Sequence, residues 1–325
     1  MRQREEAAAK STGVSGTLRA RKKWVSHGLS NAIVYGGLHY GARWLPAPVL
    51  NGINLVGNAL AIAFLRETQR GIRENFRLAL GASSRDAAVF GRRLFFEYGR
   101  STIDVWRLRN QSFTPTITTF DEDARILDSC RRNGRGFLLV TGHVGNWEMG
   151  AVTLRRHGLT PAVVGQPELD PNVQQMRLAL RRRLGVESID IGSSMATAFH
   201  VRQAVDGGRA VALLVDRAYP EDRVLVPFFG RPTAFLRSPA LLARFCNCVI
   251  LPGFFVRLRD GSYRNEWGEP LSADPGVSPE QDAQRIMGRV AKDLEGVVRR
   301  HPTQWFNFYR FWDGPGGPQT PQVAD

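Results

Sequence analysis

The stretch GFLLVTGHVGNWEMG, from Gly136 to Gly150, decides the fold of this chain. Phe137 to Val140 is a short, wholly apolar run, which is typical of a strand buried on both faces. A glycine-flanked turn with His143 follows, Asn146 is placed to cap a helix, and Trp147 to His157 has a helical pattern. His143 is therefore predicted at the carboxyl end of a buried strand, where open α/β sheets bind ligands.

His143 and Glu148 form a candidate catalytic pair. Glu148 follows His143 by five residues, and on one continuous helix that spacing would turn the two side chains about 140° apart. Because His143 precedes the helix, its ring can fold back towards a carboxylate in the first helical turn. An imidazole bonded to a carboxylate through one nitrogen can take a proton at the other and so activate a hydroxyl for acyl transfer. The spacing is also consistent with a capping glutamate and a histidine bonded to the backbone.

Strands and helices alternate along the rest of the chain, which predicts βαβ units and a largely parallel sheet. After the His143 turn they alternate over residues 161–164, 173–184, 187–191, 195–205 and 209–215. Asp216 and Arg217 directly follow the last of these strands and are therefore predicted at the same crevice as His143. We expect an α/β fold with a mixed, largely parallel central sheet flanked by helices, preceded by an N-terminal helical membrane-associating segment.

The N-terminal part of the chain is first basic and then apolar. Residues 1–28 form a basic, flexible tail without the apolar core of a cleavable signal peptide. Residues 29–66 are apolar, and Trp44 to Leu65 carries no charge over 22 residues, long enough to span a bilayer. Prolines and asparagines interrupt this segment, so a helix dipping into one leaflet, two short apolar helices and a core-packing hairpin stay open beside a true span. Residues 67–313 are the predicted α/β domain, and residues 314–325 a disordered tail.

The amino-acid composition limits the classes of partner that the chain is expected to bind. The chain has 44 Lys and Arg against 30 Asp and Glu, a net charge of +14, and such a surface attracts anionic lipid head groups, an acidic carrier protein or nucleic acid. A nucleic-acid role rests on charge alone, because the sequence has no zinc-finger spacing, Walker motif or GxGxxG after a strand. The 3 cysteines are too few for a disulfide framework and fit a reducing compartment.

The string GHVGNWE, from Gly142 to Glu148, closely resembles the His-x4-Asp/Glu motif of the late acyltransferases of lipid A biosynthesis, the lauroyl and myristoyl transferases. These enzymes and the bacterial phosphatidylinositol mannoside acyltransferases belong to the lysophospholipid acyltransferase superfamily. The likeness covers roughly Leu29 to Trp312. It includes an Arg-x-Asn-Phe element within Arg70 to Leu80, an Asp-Arg pair ahead of a Pro-Phe-Phe-Gly element, and a closing Pro-x-Gln-Trp segment. The chain departs from lipid A enzymes at Gly165-Gln166-Pro167, where they often carry Tyr-Arg-Pro.

The resemblance implies an acyltransferase that moves a fatty acyl group from acyl carrier protein or CoA to a hydroxyl of a membrane glycolipid or phospholipid. The implied acceptor is a lipid A precursor or a related lipid, and the implied place of action is the cytoplasmic face of the bacterial inner membrane. His143 would be the general base and Glu148 its partner, with no metal or bound cofactor and the thioester as co-substrate. The predicted substrate-binding residues are Gly145, Asn146, Gln166, Arg183, Asp216, Arg217, Phe229, Gly230 and Thr233.

Several side motifs stay open to two interpretations. The run Arg181 to Arg183 can bind a phosphate or be a solvated helix face. Arg217 can complete the charge environment of the crevice or pair with Asp216. Backbone N–H groups at the start of the helix over 146–157 are candidates to stabilise an oxyanion. For the whole chain, the alternative to an acyltransferase is a non-catalytic, membrane-associated basic protein that binds anionic lipid or nucleic acid.

Overall fold

The computed structural model describes residues 41, 44–108, 113–118, 121–131, 134–168, 170–192 and 194–314. The predicted basic tail over residues 1–28 lies outside the described residues, as do residues 315–325 of the predicted C-terminal tail. The described chain begins with three helices, α1 (Ala47–Phe64), α2 (Arg66–Leu80) and α3 (Ser84–Arg107). The later helices are α4 (Asp121–Cys130), α5 (Trp147–Arg156), α6 (Pro171–Arg183), α7 (Ser194–Asp206), α8 (Ser238–Cys246) and α9 (Pro279–Arg300).

Seven strands form the central sheet and two more form a separate hairpin. The sheet strands are β1 (Ile117–Thr118), β2 (Phe137–Thr141), β3 (Pro161–Gly165), β4 (Glu187–Asp190), β5 (Ala210–Leu214), β8 (Ile250–Arg257) and β9 (Tyr263–Trp267). Their order across the sheet is β1-β9-β8-β2-β5-β3-β4. The hairpin consists of β6 (Val224–Phe228) and β7 (Arg231–Phe235), which pair antiparallel.

The sheet is largely parallel, which confirms the predicted fold class. Strands β8, β2, β5, β3 and β4 run parallel to one another, whereas β9 is antiparallel to β8. All five residues of β2 are buried, as its continuous apolar run predicts for a strand covered on both faces. Strand β2 pairs with β5 on one side and with β8 on the other. The loop that follows β2 therefore lies between the carboxyl ends of two neighbouring parallel strands.

Helix α9 closes the domain. Ser278 caps it through a capping box with Gln281, so two backbone donors at its start are satisfied. An apolar stripe from Ile286 to Val298 is buried along its length. A 3₁₀ turn, Pro302–Gln304, then leads into an aromatic segment that packs in the core, its buried members being Trp305, Phe306, Phe308, Phe311 and Trp312.

Helix α1 buries one face on α3 and exposes the other. Leu50 is 2% exposed and joins an apolar cluster with residues of α3. Asn54 donates from Nδ2 to the carbonyl of Phe96 at 3.4 Å, and a Cβ at Gly99 would lie 1.7 Å from the Asn54 side-chain oxygen. The other face carries exposed apolar side chains, among them Val49, Ile53, Leu55, Val56, Leu60 and Phe64.

Within the described residues, no single helix has the length and apolarity needed to cross a membrane. The pair Pro48–Phe64 and Arg66–Leu80, bent by 92°, meets both criteria when taken together, by length and composition alone. Arg66 begins α2, so the apolar segment predicted over residues 29–66 ends at this bend.

Candidate active site

The loop that carries His143 is pinned from two sides. The Phe306 N–H donates to the carbonyl of His143 at 2.7 Å, and the Gly145 N–H donates to the carbonyl of Gln304 at 2.9 Å. On the other side, the Asn146 N–H donates to the carbonyl of Phe255 in β8 at 2.7 Å. The loop between β2 and α5 is therefore fixed by backbone contacts with a neighbouring strand and with the C-terminal segment.

Two glycines let this loop approach its neighbours. Gly145 has a φ of +65°, and a Cβ there would lie 2.2 Å from the Phe255 carbonyl oxygen. A Cβ at Gly142 would lie 2.9 Å from two Leu294 carbons and 3.4 Å from the Asp216 carboxyl carbon. Any side chain at these positions would push the loop away from β8 or from Asp216.

Asp216, which follows β5, holds the ring of His143. Because β2 and β5 are adjacent and parallel, their carboxyl ends meet at one edge of the sheet. The His143 Nδ1 lies 2.6 Å from Asp216 Oδ1, and the His143 backbone N–H donates to both carboxylate oxygens at 3.1 and 3.0 Å. Among the described residues, Nε2 of His143 has no hydrogen-bond partner. Asp216 therefore fixes both the backbone and the ring of the histidine.

The charges around this pair keep the ring neutral and the carboxylate ionised. Burial, and then the positive charge of Arg217, lower the pKa of His143 below its ordinary value of 6.5, although Asp216 opposes this shift. Burial alone would raise the pKa of Asp216, but the charge of His143 and its hydrogen bonds bring that pKa below its usual range. At neutral pH His143 is thus a base with an unprotonated nitrogen.

Glu148 does not contact the His143 ring, and the predicted pairing of these two residues is wrong. Its Oε1 accepts hydrogen bonds from Arg181 at 2.7 Å and from Arg177 at 3.2 Å. Burial would raise the pKa of Glu148, but Arg181 and then Arg177 lower it to about 2. The Glu148 carboxylate is therefore bonded to two arginines that lie one turn apart on α6, and the carboxylate that contacts the His143 ring is that of Asp216.

A groove runs between α3, the start of α5 and α6, beside the His143 loop. Its apolar part is lined by α3 residues such as Tyr98, Val105 and Trp106, and its charged part by Glu148, Arg177 and Arg181. The ring of Trp147, which also lines the groove, packs edge-on against the ring of His143 with centroids 5.4 Å apart. The groove therefore offers an apolar wall and a charged wall next to the histidine.

Asn146 occupies the capping position of α5, but its side chain does not cap the helix. Its Nδ2 donates to the Ser101 carbonyl and to Tyr263 Oη, both at 3.1 Å. Tyr263 in turn donates to Asp104 of α3 at 2.8 Å. Asn146 therefore ties the His143 loop to α3, the opposite wall of the groove, and no local sequence pattern pointed to this partner.

Arg217 and Gln166 lie at the same edge of the sheet as His143. Arg217 donates from Nη2 to the Phe306 carbonyl at 2.9 Å and lies 3.5 Å from Asn307 Oδ1. It is therefore attached to the C-terminal segment and is not an ion-pair partner of Asp216, which settles the choice that the sequence left open. Gln166 directly follows β3, the neighbour of β5.

Phe229, Gly230 and Thr233 lie in the β6–β7 hairpin and contact other partners than the His143–Asp216 pair. The Phe229 N–H donates to Glu295 at 2.6 Å, and Thr233 Oγ1 accepts from the Trp312 indole at 3.0 Å. Both contacts secure the hairpin to α9 and to the aromatic C-terminal segment. None of the three lines the groove beside His143, and their role as substrate-binding residues stays a prediction.

The run Arg181 to Arg183 divides between the groove and the surface. Arg181 reaches Glu148, whereas Arg182 and Arg183 are exposed. Arg183, the member predicted to bind substrate, is therefore not part of the groove lining; Arg177 and Arg181 are. Within the described ranges, no group of three His, Cys, Asp or Glu side chains is placed to hold a metal ion.

Comparison with known proteins identifies the family of the chain. The family model described as bacterial lipid A biosynthesis acyltransferase matches residues 21–313. The chain therefore belongs to this family, as the Gly142–Glu148 motif predicted, and is an acyltransferase that acts on lipids.

Two relatives and one solved structure show the range of similarity. The phosphatidylinositol mannoside acyltransferase of Mycobacterium tuberculosis (strain CDC 1551 / Oshkosh) is 29% identical over 221 residues, 66% of this chain and 67% of that protein. That of Mycolicibacterium smegmatis is 24% identical over 180 residues, 55% of this chain and 57% of that protein. The crystal structure of the 1-acyl-sn-glycerophosphate acyltransferase of Thermotoga maritima aligns with 80% of this chain and 99% of that one, at 14% identity and a TM-score of 0.38.

Proposed function

We propose that this protein transfers a fatty acyl group from an acyl thioester, of acyl carrier protein or CoA, to a hydroxyl of a membrane glycolipid or phospholipid. A lipid A precursor or a related lipid is the acceptor in this proposal. The observation that carries it is the 2.6 Å contact between His143 Nδ1 and the fully buried Asp216, beside a groove with an apolar wall.

In the proposed reaction, His143 is the general base. Its neutral Nε2 takes the proton of the acceptor hydroxyl as the oxygen attacks the thioester carbonyl. Asp216 stabilises the imidazolium that forms and keeps the ring in place. When the tetrahedral intermediate collapses, the carbon–sulfur bond breaks and the proton passes from His143 to the leaving thiolate. The products are an acyl ester and a free thiol, and the protonation state of the enzyme is restored.

The developing oxyanion has donors at the start of α5 in this proposal. The Asn146 N–H is already bonded to Phe255, so the amides that an oxyanion would meet are those of Trp147 and Glu148. The first amides of an α-helix have no intrahelical acceptor, and the helix dipole favours negative charge at that end.

We assign the Glu148–Arg177–Arg181 cluster to substrate positioning. Two guanidinium groups share the Glu148 carboxylate, and Arg177 also forms an ion pair with Glu168, so two carboxylates balance the two arginines of this wall. Each guanidinium has five N–H donors, and those that stay unused, such as Arg181 Nε, suit the oxygens of a phosphate of the lipid acceptor or of the donor's prosthetic arm. Glu148 orients the side chains of both arginines. This role explains why a carboxylate is present at position 148 although it does not contact the His143 ring.

The exposed apolar face of α1 supports an association with the membrane. We place the enzyme on the cytoplasmic face of the bacterial inner membrane, with α1 in one leaflet and the groove beside it. An apolar helix with basic flanks binds bilayers more firmly than one acyl chain does. The chemistry needs neither a metal nor a bound cofactor beyond the thioester co-substrate.

A thioester-consumption assay with the full-length protein tests this proposal. The protein in mild detergent receives radiolabelled acyl carrier protein thioester or acyl-CoA together with a bacterial lipid extract. We expect release of free thiol in equal amount to labelled lipid ester, and unchanged turnover in the exposed control His200→Gln. If no donor loses its acyl group in the presence of lipid, the proposal fails and the non-catalytic lipid-binding alternative takes its place.

A further inference from the structure

A second charged cavity lies on the far side of α3 from the groove. Its volume is about 820 Å³, and it is lined by five arginines, Arg93, Arg100, Arg257, Arg259 and Arg300, with Glu97 as the acidic side chain among the lining residues. We call it the arginine basin. At 100° per residue, its α3 residues lie on roughly the opposite face from those that line the groove. A substrate in the groove therefore does not occupy it.

The basin holds more positive charge than the surrounding carboxylates neutralise. Arg100 lies 3.5 Å from Glu97, Arg300 lies 2.6 Å from Glu266, and Arg257 lies 3.1 Å from Asp104. The remaining two, Arg93 and Arg259, are exposed and form no ion pair with any residue that the structure describes. A cavity lined by two unpaired and three paired guanidinium groups is suited to an anion with several oxygens, such as a phosphate ester.

Helix α1 lies directly beside the basin. Phe96 lines the basin, and its carbonyl oxygen accepts the hydrogen bond from Asn54 of α1. The outward face of α1 exposes Ile53 by 53%, Val56 by 61% and Leu60 by 54%. An apolar helix lies about 5–10 Å deep at the boundary between head groups and acyl chains. With α1 at that depth, the neighbouring arginines would stand at the level of the lipid phosphates.

We propose that the arginine basin binds the phosphate head group of an anionic phospholipid in the bilayer on which α1 rests. The inference rests on the proposed membrane association, and it adds a head-group site separate from the acceptor in the groove. A bilayer fits the observations better than a soluble phosphate ester, because a soluble ligand gives no role to the apolar face beside the basin. Each arginine near an anionic surface contributes about 1 kcal/mol.

The experiment is vesicle flotation of the full-length protein. The vesicles contain phosphatidylcholine alone or with one quarter phosphatidylglycerol, and the measured quantity is the ratio of the two partition coefficients. We expect Arg93→Gln/Arg259→Gln to reduce this preference about five-fold per arginine, on the order of 25-fold together, without changing binding to phosphatidylcholine. The matched control is Arg125→Gln/Arg131→Gln, which removes two exposed arginines at α4 that have no ion pair within the described ranges.

Three results would overturn the proposal. An unchanged preference in the basin variant excludes the site, and an equal loss in the control shows an effect of net charge alone. If the basin variant loses CoA binding, measured by equilibrium dialysis, while it keeps the wild-type preference for anionic vesicles, the basin belongs to a soluble phosphate ester. Thioester turnover in detergent is measured in parallel, because the basin variant should keep it. If the wild type itself shows no thioester turnover, that result counts against the acyltransferase proposal and not against the head-group site.

Discussion

At the scale of single residues, the candidate site rests on two side chains that are distant in the sequence. His143 and Asp216 each follow a buried strand, and the structure brings both to one edge of the sheet. They are 73 residues apart, and nothing in a single sequence states that β2 and β5 are neighbours. Glu148 is the carboxylate that follows His143 most closely in the sequence. In the structure it bonds to two arginines of α6, which the local motif does not reveal.

Arg217 should help to set the pH at which His143 becomes a base. Burial, and then the positive charge of Arg217, lower the pKa of His143, so Arg217→Gln should raise that pKa. Because activity requires the neutral ring, the acid limb of kcat/KM should move to higher pH in this variant. The wild-type limb should lie below pH 6.5, and Arg217→Lys, which keeps the charge, should resemble it. The measurement is the pH profile of thioester turnover, and an acid limb at the same pH in all three proteins would contradict the assigned cause.

At the scale of elements, one buried asparagine helps to hold the C-terminal aromatic segment to the rest of the molecule. Asn75 of α2 belongs to the Arg-x-Asn-Phe element that carries part of the family resemblance. Its Nδ2 donates to the Tyr309 carbonyl at 2.7 Å, and its Oδ1 accepts from the Phe311 N–H at 2.8 Å. This segment also pins the His143 loop through Phe306, so α2 supports the site without touching it.

Replacing Asn75 should therefore destabilise the fold. Asn75→Ala leaves buried backbone groups of the C-terminal segment without partners, each at a cost of about 1–3 kcal/mol. We expect the free energy of unfolding to fall by about 2–4 kcal/mol. Denaturant unfolding followed by tryptophan fluorescence measures it. The control Arg77→Ala, at an exposed position of the same helix, should change the free energy of unfolding by less than about 0.5 kcal/mol. A similarly small change for Asn75→Ala would show that the hydrogen bonds of Asn75 to the C-terminal segment are unimportant for stability.

At the scale of the whole molecule, hydrophobic periodicity predicted the α/β class and most element positions. Strand β3 and helix α7 lie within one residue of their predicted bounds, because each has an uninterrupted pattern between clear end signals. The antiparallel entry of β9 and the order of the strands were not predicted, since they depend on contacts between distant segments. The uncharged run to Leu65 predicted an apolar segment and left its form open, and its division into a face packed on α3 and an exposed face needed the three-dimensional structure.

The exposed face of α1 should control membrane attachment. Replacing Ile53, Val56 and Leu60 by serine removes apolar surface that the fold does not use, while the buried Leu50 stays. We expect the full-length variant to move from the membrane pellet to the supernatant after cell lysis with its thermal unfolding unchanged. The matched control is Ala59→Ser, an exposed position on the same helix with little apolar surface. Retention of the triple variant in the pellet would contradict a role for this face.

The central claim is that His143 and Asp216 act as one base, and a double-mutant cycle on acyl transfer tests it most directly. General-base catalysis contributes about 10²–10⁴-fold, so His143→Ala should lose at least that factor in kcat while keeping the fold, checked by circular dichroism. Asp216→Asn should lose a large part of the same factor. The double variant should lose little more than His143→Ala alone, because groups that act together are not additive. Near-wild-type turnover in His143→Ala, or losses that multiply in the double variant, would contradict this account.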